Sequence, residues 1–260
     1  MEFVTITPFK FMQDAFQTSN KTLVLAHLVE EGNELQRACL EFKKKGGEVW
    51  MDNSFYELRE NKDVEWLTDK AKLIDADVLV FPDIPMRSNL RFIIENGIHK
   101  IRKLGYLKKI LVTVYADNKD FKEDLEQFKI LNTIPGISIL AITYAFRKED
   151  GMRRPDFLKM IDKEIKKGKL KINKHIHLFG VNSWENFKKE IEYDWIKSAD
   201  STMPFKLGVN KIKLPIKDEQ DIKRSTNYFN IVELSEEQRD AINYNLKYVK
   251  QICENEKTND

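Results

Sequence analysis

The sequence predicts a single (β/α)8 barrel, and three observations carry that prediction. Strand-like apolar runs recur along 260 residues, amphipathic helical stretches separate them, and polar residues close the runs at their carboxyl ends. Seven runs are plain: TLVLAH from Thr22, EVWMD from Glu48, DVLVFPD from Asp77, ILVTVYA from Ile110, ISILAITYA from Ile137, HIHLFG from His175 and IKSAD from Ile196. Several are nearly continuous rather than alternating, the pattern of parallel strands covered on both faces. A weaker run, Tyr228 to Val232, is the candidate for the eighth strand.

The first helix follows from Leu35, Ala38, Cys39 and Phe42, which fall on one helical face before Gly46 stops it. The same design recurs with Leu90, Ile93, Ile94, Ile98 and Ile101 before Gly105. It recurs again with Phe157, Met160, Ile161 and Ile165 before Gly168. Ser235 to Gln238 form a capping box that opens a last helix toward Cys253. The main rival is a doubly wound open sheet, but no glycine-rich phosphate loop follows the first strand. No linker divides the chain, so residues 1–253 are read as one domain and 254–260 as a disordered tail.

Composition narrows the classes. An apolar content of 42% suits a globular protein, and a formal charge of +2 says little about partners. The lysine-rich stretch Lys163 to Lys174 is read either as a solvated helix end or as a phosphate-binding edge. Two cysteines, Cys39 and Cys253, are too few for a disulfide framework or a cysteine-rich zinc site, and point to a reducing cytoplasm. No long apolar run is present, so neither a membrane partner nor export is expected.

Polar residues end the strand candidates: His27, Asp52, Asp83, Tyr144, Gly180 with Val181 and Asn182, and Asp200. In a barrel these ends meet at one mouth, making the three aspartates a convergent acidic cluster. Each aspartate alone could equally cap the next helix. Paired carboxylates suit glycosyl chemistry, one attacking and one moving protons, without a metal. His175 and His177, two apart on one strand face, are read as packing residues, since no third ligand accompanies them.

The run Asp52-Asn53-Ser54-Phe55-Tyr56-Glu57 resembles the Asp-Ser-Gly-Gly-Phe-Gln motif of tRNA-guanine transglycosylases, and Asp200-Ser201-Thr202-Met203-Pro204 resembles their Asp-Cys-Val-Met-Pro. HLFGVN from His177 is similar to their Tyr-Leu-Met-Gly-Val-Gly, and VLVFPDIP, ending at Pro85, to their purine-gripping strand. The resemblance covers roughly residues 20 to 210. It implies Asp200 as covalent nucleophile and Asp52 as general acid/base. Asn53, Tyr56, Asp83 and Gly180 would then bind the base. It also implies replacement of guanine in DNA by a free 7-deazaguanine base, with tRNA as the alternative target. A catalytically silent nucleic-acid-binding subunit of the same fold is the rival of another class. No cofactor or metal is expected. The family's carboxyl-terminal zinc subdomain of three cysteines and a histidine has no counterpart here, which brings the chain nearer to compact phage relatives.

Overall fold

In the computed structural model, the described residues are 1–16, 18–84, 89–114, 121–143, 154–181, 184–216, 231 and 233–255. Eight parallel strands close into a barrel in sequence order: β1 Glu2–Thr5, β2 Lys21–Leu25, β3 Glu48–Asp52, β4 Val78–Val80, β5 Lys109–Val114, β6 Ile139–Thr143, β7 His175–Phe179 and β8 Ile196–Ser201. The chain is therefore a (β/α)8 barrel, as its alternating runs imply. The strand order needs one correction. The closing strand is β1, which pairs with both β2 and β8, whereas the expected strand at 228–232 has only Ile231 among the described residues, outside any element.

Helices wrap the sheet: α1 Met12–Phe16, α2 Glu34–Lys44, α3 Phe55–Leu58, α4 Val64–Leu73, α5 Leu90–Lys103, α6 Phe121–Thr133, α7 Arg154–Lys166, α8 Trp184–Glu190, α9 Met203–Val209 and α10 Glu236–Asn255. Local chemistry starts several of them. Asn33 accepts the Gln36 N–H at 2.8 Å to cap α2, and Asp63 accepts the Trp66 N–H at 2.8 Å to cap α4. The Ser235–Gln238 box forms in both directions, at 2.8 and 3.3 Å. Alternate residues of each strand divide between two cores. Val24, Met51, Leu79, Ile142 and Leu178 pack outward against the helices, while Val4, Leu23, Trp50, Val78, Val80, Leu111, Ile139 and Ala141 fill the lumen.

Strand β8 breaks this alternation. Ile196 pairs with Ile176, but the next pair is Ser198 with His177, so the register shifts and Lys197 is left over as a bulge. Without it Ile196 and Ser198 would share a face. With it Ile196 packs outward among the helices, and Ser198 turns inward to the histidines of β7. At the amino-terminal end Glu48 is held by Lys21, by Lys109 at 3.0 Å and by the Trp50 indole N–H at 3.1 Å. Burial opposes the charge on Glu48, yet these two lysines draw its pKa below the usual glutamate value. No helix among the described residues is long and apolar enough to cross a membrane.

Candidate functional site

The mouth is built from the ends of β3, β4, β7 and β8. Asp52 ends β3, and its Oδ1 accepts the Ser54 N–H at 2.6 Å. Ser54 adopts a left-handed conformation (φ 62°), and its hydroxyl accepts the His27 N–H at 3.1 Å, tying the loop after β2 to the loop after β3. Asp52 is half-buried, but burial of its carboxyl pushes the pKa up to about 7. The Ser54 N–H works against that shift, and the negative charges of Glu57, Asp83 and Asp200 add to it.

Asn53 is buried beside it and is fully engaged. Its amide nitrogen donates to the Phe81 carbonyl at 2.8 Å and to Asp83 Oδ1 at 2.9 Å, and its oxygen accepts the Phe55 N–H at 3.0 Å. The backbone of Asp83 is clasped in turn by Asn61, which accepts its N–H at 3.0 Å and donates to its carbonyl at 2.7 Å. Thus the loops after β3 and β4 are laced by two asparagines, and the three aspartates do converge.

Across the mouth Asp200 is 2% exposed. Its Oδ1 receives the Gly180 N–H at 3.1 Å and lies 2.9 Å from His177 Nε2. Gly180 reaches it from a positive φ of 68°, a conformation that glycine adopts without strain. His177 Nδ1 is 2.8 Å from the Ser198 hydroxyl, which is 2.6 Å from His175 Nε2. Behind Gly180 lies a buried ion pair. Arg154 donates through Nε and Nη2 to both oxygens of Glu190, at 2.8 and 2.7 Å, and each side chain is 1% exposed. The Nη1 of Arg154 also donates to the carbonyls of Phe179 at 2.7 Å and Gly180 at 3.1 Å, fixing the turn that aims Gly180 at Asp200.

The residues expected at the site fall into two groups. Asp52, Asn53, Asp83, Gly180 and Asp200 gather at the mouth, whereas Tyr56 is 65% exposed with the Arg59 guanidinium 4.5 Å from its ring centre. Tyr144 and Asn182 lie outside the described residues. In the lysine-rich stretch, Lys166 pairs with Asp162 at 2.7 Å, Lys167 with Glu164 at 3.7 Å, and Lys174 donates to the Ile134 carbonyl at 3.0 Å. Sequence reasoning read His177 as a packing residue and passed over Ser198, Arg154 and Glu190. The His175/His177 spacing and the small polar Ser198 before Asp200 were the available signals. The bulge at Lys197 hid their common facing.

Fold and site together define a (β/α)8 barrel with a buried acid–base cluster at the carboxyl-terminal mouth. No protein-family model matches the chain, and no curated protein matches it in sequence. Among solved structures it is similar to dihydrodipicolinate synthase from Agrobacterium tumefaciens, with a TM-score of 0.52 and 10% identity over 95% of this chain and 97% of that one. That likeness shows the barrel fold alone.

The expected kinship with guanine transglycosylases is overturned. The likeness is to a synthase, and no transglycosylase family model matches. The glycosyltransferase class falls with it, as do base exchange on DNA or tRNA, the silent nucleic-acid-binding alternative and the covalent aspartyl–sugar intermediate. The physical reason lies in what the motif residues do. The Ser201 hydroxyl accepts the Met203 N–H at 2.9 Å, and Pro204 sits in the first turn of α9. Asn53 likewise makes the turn into α3. Such strand-to-helix turns serve any βα unit, so a short match across them carries little kinship.

Proposed function

We propose that this chain is an acid–base enzyme of the lyase or isomerase type, moving a proton on a small polar molecule bound at the barrel mouth. One observation carries the reading: the Asp52 carboxyl, with its pKa raised to about 7, faces the charge of Asp200. An acid with its pKa near neutrality is populated in both forms, so it can take a proton from a substrate and return it. Asp200, under the hydrogen bonds of His177 and Gly180, supplies a fixed negative acceptor on the opposite wall.

The same geometry limits the substrate. Four acidic side chains, Asp52, Glu57, Asp83 and Asp200, interact electrostatically here. They favour a neutral or cationic molecule rich in N–H or O–H donors and repel an anion. Among the described residues, no strand presents a lysine to the mouth for imine chemistry. Lys21 and Lys109 begin their strands at the opposite end, Lys197 is exposed, and among the described residues no strand ends in lysine. Cys39 and Cys253 are both buried thiols, which suits a reducing cytoplasm.

The test is a carboxyl-carbon NMR titration of Asp52, assigned with Asp52→Asn. An inflection near pH 7 supports the reading, and one at the ordinary aspartate value overturns it. Deuterium wash-in from D2O at the carbon beside the carbonyl of a panel of neutral hydroxy- and amino-carbonyl compounds should then reveal the substrate, and Asp52→Asn should lose that exchange.

A further inference from the structure

The inside of this barrel is chemically divided. Six strands contribute mainly apolar side chains to the lumen, whereas β7 and β8 contribute an unbroken hydrogen-bonded file: His175, Ser198, His177 and Asp200. We propose that His175, Ser198 and His177 are positioning residues that hold Asp200 as a proton-free acceptor, leaving Asp52 as the mouth carboxyl that exchanges protons. This rests on reading the mouth as an acid–base site.

The argument follows the hydrogens. Asp200 Oδ1 already accepts the Gly180 N–H, so His177 Nε2 meets the same acceptor and must donate to it. A neutral imidazole that donates from Nε2 has a bare lone pair on Nδ1, so the Ser198 O–H points there. That uses the only proton of Ser198, and His175 Nε2–H must then donate to the hydroxyl oxygen. One direction runs through the whole file, and each tautomer fixes the next.

The surroundings agree. Around His175 stand Lys21 of β2, Glu48 of β3, Lys109 of β5 and His177 of its own strand. Burial first, then His177 and the two lysines, lowers its pKa to about 4, against the pull of Glu48. The Trp50 ring lies 4.9 Å and the Phe179 ring 5.1 Å from His177, walling His177 from water.

The test is long-range proton–nitrogen NMR of the nitrogen-15-labelled protein at neutral pH, without substrate. The expected result is a proton on Nε2 and a bare Nδ1 for both His175 and His177. Ser198→Ala should mix the tautomers, and Ser198→Thr, which keeps the hydroxyl, should restore them. A proton on Nδ1 of His177, a doubly protonated His177, or an Ser198→Ala spectrum identical to wild type would each overturn the proposal. The wild-type spectrum decides even if Ser198→Ala fails to fold. Because no turnover is read, the file can fail while the Asp52 titration succeeds, and the reverse.

Discussion

Asp52 is a carboxyl whose environment favours its neutral form, and that has a thermodynamic consequence. Its pKa in the fold, about 7, stands above the ordinary carboxylate value, so between those values the folded state binds more protons than the unfolded one. Stability contributed by this group is therefore lost as pH rises through that window. Asp52→Asn removes the cost while keeping an oxygen for the Ser54 N–H. The variant should match wild type near pH 4 and exceed it by about 2–4 kcal/mol at pH 8, measured by denaturant unfolding at both pH values. A difference that does not change with pH would contradict the raised pKa. Asp52, Asp83 and Asp200 were legible because a carboxylate ending an apolar run is conspicuous. His177 and Ser198 were not, since their meaning is a contact between strands 21 residues apart in sequence. Arg154 and Glu190 join residues 36 apart, and no local pattern marks such a pair.

At the scale of elements, the bulge in β8 sets which residues the lumen receives. Pairing Lys197 in regular register, with no bulge, would turn Ser198 and Asp200 out against the helices and Ala199 into the lumen. An unpaired carboxylate in an apolar layer is among the costliest changes a core can suffer. Deleting Lys197 instead leaves Ile196 outward and Ser198 inward as direct neighbours, so the deletion should keep cooperative unfolding by circular dichroism, and Lys197→Ala, at an exposed position, should change stability by no more than about 0.5 kcal/mol. A deletion variant that no longer unfolds cooperatively would show that Lys197 is more than a spare residue in the ladder. The helices α2, α5, α7 and α10 were readable from their apolar faces and stop or cap signals. The closing strand was not: β1 spans only four residues, Glu2–Thr5, too few to show a period. Its identity as a strand comes from partners at both edges, β2 and β8.

Across the molecule, the long terminal helix locks the barrel. Helix α10 packs on α9, buries Ala241, Ile242, Leu246 and Val249, and uses Asn245 to bind the Leu214 N–H at 2.8 Å and the Pro204 and Ile212 carbonyls at 3.1 and 2.9 Å. The two helices approach so closely at Gly208 that an added Cβ would stand 2.6 Å from the Ile242 backbone nitrogen. Gly208→Ala should therefore push α10 away and cost about 1–3 kcal/mol in denaturant unfolding, a loss that Gly168→Ala cannot match by contact since nothing lies within 4 Å there. Unchanged stability in Gly208→Ala would mean the crossing is slack. Deep inside that locked shell, Trp50 lies with its ring centre 4.9 Å from that of His177 and 6.4 Å from that of His175. An indole so close to imidazoles is an optical gauge, because a protonated imidazole quenches indole emission and a neutral one does so far less. With Trp66, Trp184 and Trp195 replaced by phenylalanine, the light from one buried ring would report, in real time and without any added dye, the charge state of the two histidines it faces.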